Sequence, residues 1–156
     1  MKKLMRLCLL IIAVLALCTS IANAQDSPQI KRVYTTYYEI YEDGSYSIIS
    51  IEEIVTSQTG SRATKTGTKS RQYYNANGVL QLTVYVKGTF SYNGTTATAT
   101  DAMYSYSIAN TSWTFISGSA SCSGATATAT CTFRNTPTNY KTLSVSLTCS
   151  PTGVLS

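Results

Sequence analysis

Residues 88–100, GTFSYNGTTATAT, and residues 118–130, GSASCSGATATAT, are one segment written twice at an offset of thirty. Eight of the thirteen positions are identical, among them Gly88/Gly118, Gly94/Gly124 and the run from Thr96 to Thr100 against Thr126 to Thr130. Each copy sets a turn signal, Asn93-Gly94 or Ser123-Gly124, between two alternating runs, which is the short-range mark of a β-hairpin. Pairing across Ser123-Gly124 predicts Cys122 opposite Ala125 and Cys131 near Ile116. Ile116, Gly118, Ala120, Cys122, Ala125, Ala127, Ala129, Cys131 and Phe133 then share one apolar face. Ser117, Ser119, Ser121, Thr126, Thr128, Thr130 and Thr132 share a hydroxyl face. Such a chain is bound to build antiparallel sheets with one face packed and one face wet.

The rest of the sequence repeats that grammar. Asp43-Gly44 divides Lys31–Glu42 from Ser45–Val55, and Asn75-Ala76-Asn77-Gly78 divides a run ending in Tyr73-Tyr74 from Val79–Tyr92. Thr136-Pro137-Thr138-Asn139 divides Ala125–Asn135 from Tyr140–Cys149. No stretch after residue 25 has helical periodicity, and about eight strands are expected. The fold expected is an all-β antiparallel sandwich, immunoglobulin-like in general build, with a small closed barrel as the alternative.

The first residues have a different purpose. Lys2, Lys3 and Arg6 precede an apolar run from Leu7 to Cys18, and Ala22-Asn23-Ala24 supplies small residues for cleavage. The run is shorter than the ~20 residues a permanent transmembrane helix needs, so residues 1–24 read as a cleaved secretory signal. A lipoprotein modified at Cys18 is the competing reading, with bulky Leu17 against it. Residues 25–156 then form one domain, exported to the medium or the cell surface, with no stable membrane insertion after cleavage. With the leader gone, nine of the twelve basic residues remain against seven acids, a net charge of +2 in place of +5. That balance gives no support to a nucleic-acid partner. Three cysteines remain, an odd number, and Cys122, Cys131 and Cys149 all read as core-facing. They serve as small buried hydrophobes on this reading, a Cys149 cross-link being the alternative.

From Tyr73 onward the chain resembles a group of short secreted proteins of clostridia and related gut bacteria. The matching stretches are Tyr73-Tyr74-Asn75-Ala76-Asn77-Gly78, Gly88-Thr89-Phe90-Ser91-Tyr92-Asn93-Gly94, Trp113, and Ser144-Val145-Ser146-Leu147-Thr148-Cys149. The resemblance implies a bacterial secreted protein and carries over no functional residue.

Chemistry is sparse. The chain has no His, which removes Ser-His and Cys-His nucleophiles and most zinc sites. Glycoside hydrolysis by paired carboxylates stays open in principle, but Glu52 and Glu53 are adjacent and point to opposite faces of a strand. Asp101 takes the place of Cys131 in the repeat and is expected at a strand end. No phosphate loop, metal-ligand cluster or cofactor motif is present. Two features allow a binding function. Arg62, Lys65, Lys69 and Arg71 form a basic run without an acid, read either as a protected edge strand or as a strip for an anionic surface. Twelve tyrosines against three phenylalanines suit sheet packing or an aromatic platform for a sugar or peptide. The threonine rows also allow an ice-binding reading, although outward Thr is ordinary in strands. The function expected is a secreted, non-enzymatic binding module for an unidentified glycan or protein ligand, with Arg62, Lys65, Lys69, Arg71, Tyr73 and Tyr74 as its binding residues. A structural or self-associating surface protein and a carboxylate-dependent hydrolase are the alternatives. Sequencing of the exported protein is expected to begin at Gln25; a chain beginning at Cys18 would identify the lipoprotein instead.

Overall fold

The computed structural model describes residues 30–55 and 63–156, so the expected signal, residues 1–24, and Arg62 lie outside the described residues. Eight strands follow one another: β1 (Ile30–Ile40), β2 (Tyr46–Val55), β3 (Ala63–Tyr74), β4 (Leu80–Tyr92), β5 (Ala97–Ile108), β6 (Thr114–Ser123), β7 (Thr126–Thr136) and β8 (Asn139–Thr148). They form a five-stranded sheet, β1-β2-β3-β4-β5, and a three-stranded sheet, β6-β7-β8, antiparallel throughout. The sheets pack face to face as a sandwich and do not close into a barrel. Every strand pairs only with its sequence neighbours, so the connectivity is an up-and-down meander without the crossings of a Greek key. The single passage between sheets is the loop after β5.

Alternation decides which side chains meet between the sheets. Leu82, Val84, Val86 and Phe90 of β4 face Ala127, Ala129, Cys131 and Phe133 of β7 and Leu143, Val145 and Leu147 of β8, all buried. The two copies of the repeat are the hairpins β4–β5 and β6–β7, one in each sheet, and they pack across from each other. Next to the turns their pairings match under the offset of thirty: Tyr92 pairs with Ala97 and Cys122 with Ala127. The shared glycines serve this packing. A Cβ on Gly88 would lie 2.9 Å from the Ala127 Cβ of the opposing hairpin, and one on Gly118 would lie 2.6 Å from the Tyr104 ring.

Several expectations need correction. The turn of the second hairpin is Gly124-Ala125, closed by Ser123 and Thr126. Gly124 has φ +56 and no non-glycine residue among the described residues has positive φ, the requirement of a type II′ turn. Cys122 therefore faces Ala127, two residues from the expected partner, which preserves the face; Cys131 lies opposite Gly118. A bulge between Phe115 and Ser117 makes Ile116 the extra residue, turning it out to 44% exposure and leaving Phe115 against Phe133. In the first copy Asn93 and Gly94 belong to a four-residue loop, because Tyr92 pairs with Ala97 and Asn93 Oδ1 accepts the Thr95 and Thr96 amides. A second bulge, at Thr100, turns Asp101 outward in the middle of β5, where a strand end was expected. All three described cysteines are free, Cys131 and Cys149 buried but Cys122 exposed. Cys122 sits one pair from the hairpin tip, too short to reach the other sheet; its repeat counterpart Tyr92 spans that distance and packs on Gly153. Finally, β3 is the middle strand of the larger sheet, so its basic residues do not guard an edge.

Phe90→Ala is expected to cost about 3–5 kcal/mol as a cavity in the shared core. Thr128→Ala, on the opposite face of its sheet, is expected to cost under about 0.5 kcal/mol; urea titration of both variants checks the assignment of faces.

Candidate functional site

The position of β3 fixes what its cations can do. Lys65, Lys69, Arg71 and Tyr73 share the face turned toward the smaller sheet, while Tyr74 points the other way. Lys65 Nζ lies 2.5 Å from Glu53 Oε1 and donates to the Gly153 carbonyl at 2.5 Å. Arg71 reaches four groups: it pairs with Glu39, donates to Tyr41 Oη at 2.6 Å and Ser47 Oγ at 3.4 Å, and donates to the Ser144 carbonyl of β8 at 2.9 Å. Both cations are thus committed to ties between strands. Tyr73 is buried between the Tyr41 and Trp113 rings at 6.0 and 6.4 Å, with Lys141 Nζ 4.3 Å from its ring centroid. The five described residues of the expected binding set do not form one surface.

Lys69 differs from its neighbours. It lies between Ile51 and Val86 on the same inner face, and burial pushes its ammonium below the ordinary value of 10.5. It has no ion pair among the described residues. The described acids are placed elsewhere: Glu39 and Glu53 are taken by Arg71 and Lys65, Asp43 holds Ser45 in the first turn at 3.0 and 2.5 Å, and Asp101 faces outward. Glu52 is exposed and Glu53 buried, as adjacent strand positions require. Among the described residues no three of His, Cys, Asp and Glu gather closely enough to hold a metal.

What sequence reasoning missed is an aromatic surface on the other side of the larger sheet. Tyr46 pairs with Ile40 on one side and Tyr74 on the other, and Tyr38 pairs with Ile48. These five side chains therefore point outward together at the turn end of β1, β2 and β3. The Tyr46 and Tyr74 rings are stacked, centroids 4.9 Å apart and planes within 6°. Tyr38 and Ile40 are 65% and 77% exposed. Burial, then the neighbouring Tyr46 and Tyr38, push the Tyr74 hydroxyl up; it stays protonated and donates to Gln72 Oε1 at 3.3 Å. The signal in the sequence was the phase: Tyr38, Ile40, Tyr46 and Tyr74 fall on one parity across the Asp43-Gly44 turn, and Tyr73 on the other.

The outer face of the smaller sheet is chemically uniform. Four cross-strand rows, Ser117-Thr132-Thr142, Ser119-Thr130-Ser144, Ser121-Thr128-Ser146 and Ser123-Thr126-Thr148, are hydroxyls throughout. The β7–β8 pairs bond each other at 2.9 to 3.0 Å. Comparison with protein families, curated proteins and solved structures found no match.

Lys69 gives a test of the inner face. Between its folded and unfolded titrations the unfolded chain holds a proton that the folded chain has lost. Stability from this group therefore rises with pH through that window, and below it the buried charge is a constant penalty. Lys69→Met is expected to be more stable than the wild type at pH 7, with the gap closing as pH approaches 10.5; paired urea titrations across that range measure it.

Proposed function

We propose that this is a secreted bacterial β-sandwich that acts as a non-enzymatic binding module, taking an uncharged glycan on the outer tyrosine surface of the larger sheet. The observation that carries the reading is the stacked Tyr46–Tyr74 pair, flanked by exposed Tyr38 and Ile40. An aromatic face with phenolic rims offers a sugar ring both a stacking surface and hydrogen bonds. Isolated exposed apolar residues need no explanation, but several grouped on one sheet end do. No charged side chain belongs to this group, which favours a neutral ligand over an anionic polymer. The basic residues first suspected support the architecture in this reading, since Lys65 and Arg71 already have partners.

Tyr46→Ala and Tyr74→Ala are each expected to weaken binding to neutral oligosaccharides about tenfold or more, ~1.4 kcal/mol, with little dependence on salt. Lys87→Ala, exposed on the same sheet away from the tyrosines, is expected to bind as the wild type does. A glycan array showing no neutral ligand, or binding indifferent to both tyrosine variants, would refute the reading.

A further inference from the structure

A two-sheet sandwich has four edge strands, and three of these are guarded. β1 carries Glu39 and a bulge between Thr35 and Tyr37. β5 carries Asp101 and the Thr100 bulge, and its Ala99 amide donates to the Gly124 carbonyl. β8 is occupied by Arg71 at the Ser144 carbonyl, and its end pairs with the C-terminal residue through Thr148 and Ser156. Charges, bulges and covering groups are the usual means of keeping an edge from pairing with another chain. β6 differs: its sequence TFISGSASCS holds no charge and no proline, and beyond the bulge at Ile116 residues 117–123 run regularly.

The hairpin turn says which groups are free. Ser123 and Thr126 close a two-residue turn and so exchange hydrogen bonds, and bonded pairs then alternate along the ladder. Ser117, Ser119, Ser121 and Ser123 therefore bond to β7. The N–H and C=O groups of Gly118, Ala120 and Cys122 point to the open side, and none of them hydrogen-bonds another described residue.

We propose that β6 is a docking edge for a second copy of this chain, the two β6 strands pairing antiparallel about a twofold axis at Ala120. Three observations favour a copy of itself over another extended segment. An uncharged strand meets its twin without like-charge repulsion. A twofold axis at Ala120 sets Ser119 opposite the partner's Ser121 and Ser117 opposite the partner's Ser123, so each hydroxyl, donor and acceptor at once, meets another. The four hydroxyl rows then run unbroken across six strands. On the inner side Gly118 falls opposite the partner's Cys122, small against small. Pairing one strand edge buries less than the ~800 Å² per partner of a standard stable interface, so the dimer is reversible and depends on concentration. The tyrosine surface lies on the other sheet, so this inference stands apart from the glycan reading.

Light scattering and sedimentation of the secreted chain, in reductant to keep Cys122 from cross-linking, are expected to show monomer giving way to dimer as concentration rises. Ala120→Pro removes the amide at the axis while sparing every bond to β7, a substitution edge strands tolerate. It is expected to raise the dimer dissociation constant at least tenfold. Should that variant fail to fold by circular dichroism, the double substitution Ser119→Lys, Ser121→Lys decides, since it sets like charges opposite each other on both sides of the axis. Ser146→Lys, on the same hydroxyl face but on β8, is expected to leave the dimer intact. A wild type that stays monomeric at every concentration overturns the proposal. So does a dimer that survives the edge variants, or one that Ser146→Lys destroys equally, which would mean the hydroxyl faces stack.

Discussion

Arg71 fastens the sandwich at one point. Its guanidinium, held by the middle strand of the larger sheet, reaches β1 through Glu39, β2 through Ser47, the Tyr41 hydroxyl after β1, and the backbone of β8 in the other sheet. A cation between two apolar sheets is costly unless its donors are met, and guanidinium is the side chain with enough of them in a fixed fork to serve several strands. Lys65 repeats the device at the other end, joining Glu53 to the C-terminal turn through the Gly153 carbonyl. Between these ties the smaller sheet has one lateral position over the larger one. The hydrophobic layer of Leu82, Val84, Val86, Phe90 and Phe133 supplies attraction without direction; the two cations supply the registry.

The same ties bear on why the two sheets differ in the chemistry of their outer faces. With Lys65, Lys69 and Arg71 on the inner face, the outer surfaces carry the tyrosine cluster at one end of the larger sheet and hydroxyl rows on the smaller. The glycines at 88 and 118 complete the arrangement by letting the repeated hairpins approach across the core, each giving room to a side chain of the other. The duplication is thus expressed as two facing halves of one core, with Phe90 large where its counterpart Ala120 is small.

Much of this was legible in the sequence. The strand breaks at Asp43-Gly44, Asn75–Gly78 and Thr136–Asn139 stand where the turns are, since glycine, asparagine and proline act locally. Face assignment in the second hairpin survived an error of two residues in pairing, because strand faces repeat every two. Single-residue bulges did not survive: nothing in the local pattern marks Ile116 or Thr100 as the extra residue, and each reverses the faces beyond it. The place of β3 was hidden for another reason. Whether a strand is central or at an edge is set by the order of strands in the sheet, and an alternation of Lys and Thr reads the same in both. Tyr73 and Tyr74 were joined as a site by sequence adjacency, when their adjacency places them on opposite faces.

The meander has a consequence for how such a chain reaches its folded state. Every strand pairs with the strand next to it in sequence, so the ladders close with little loop entropy to overcome. The two sheets form from contacts local in sequence, and only their docking joins distant segments. That docking rests on Arg71 meeting Ser144 and Lys65 meeting Gly153, seventy-three and eighty-eight residues apart. The polar ties between the sheets therefore need β8 and the turn at Gly153, which carry the acceptors of both cations.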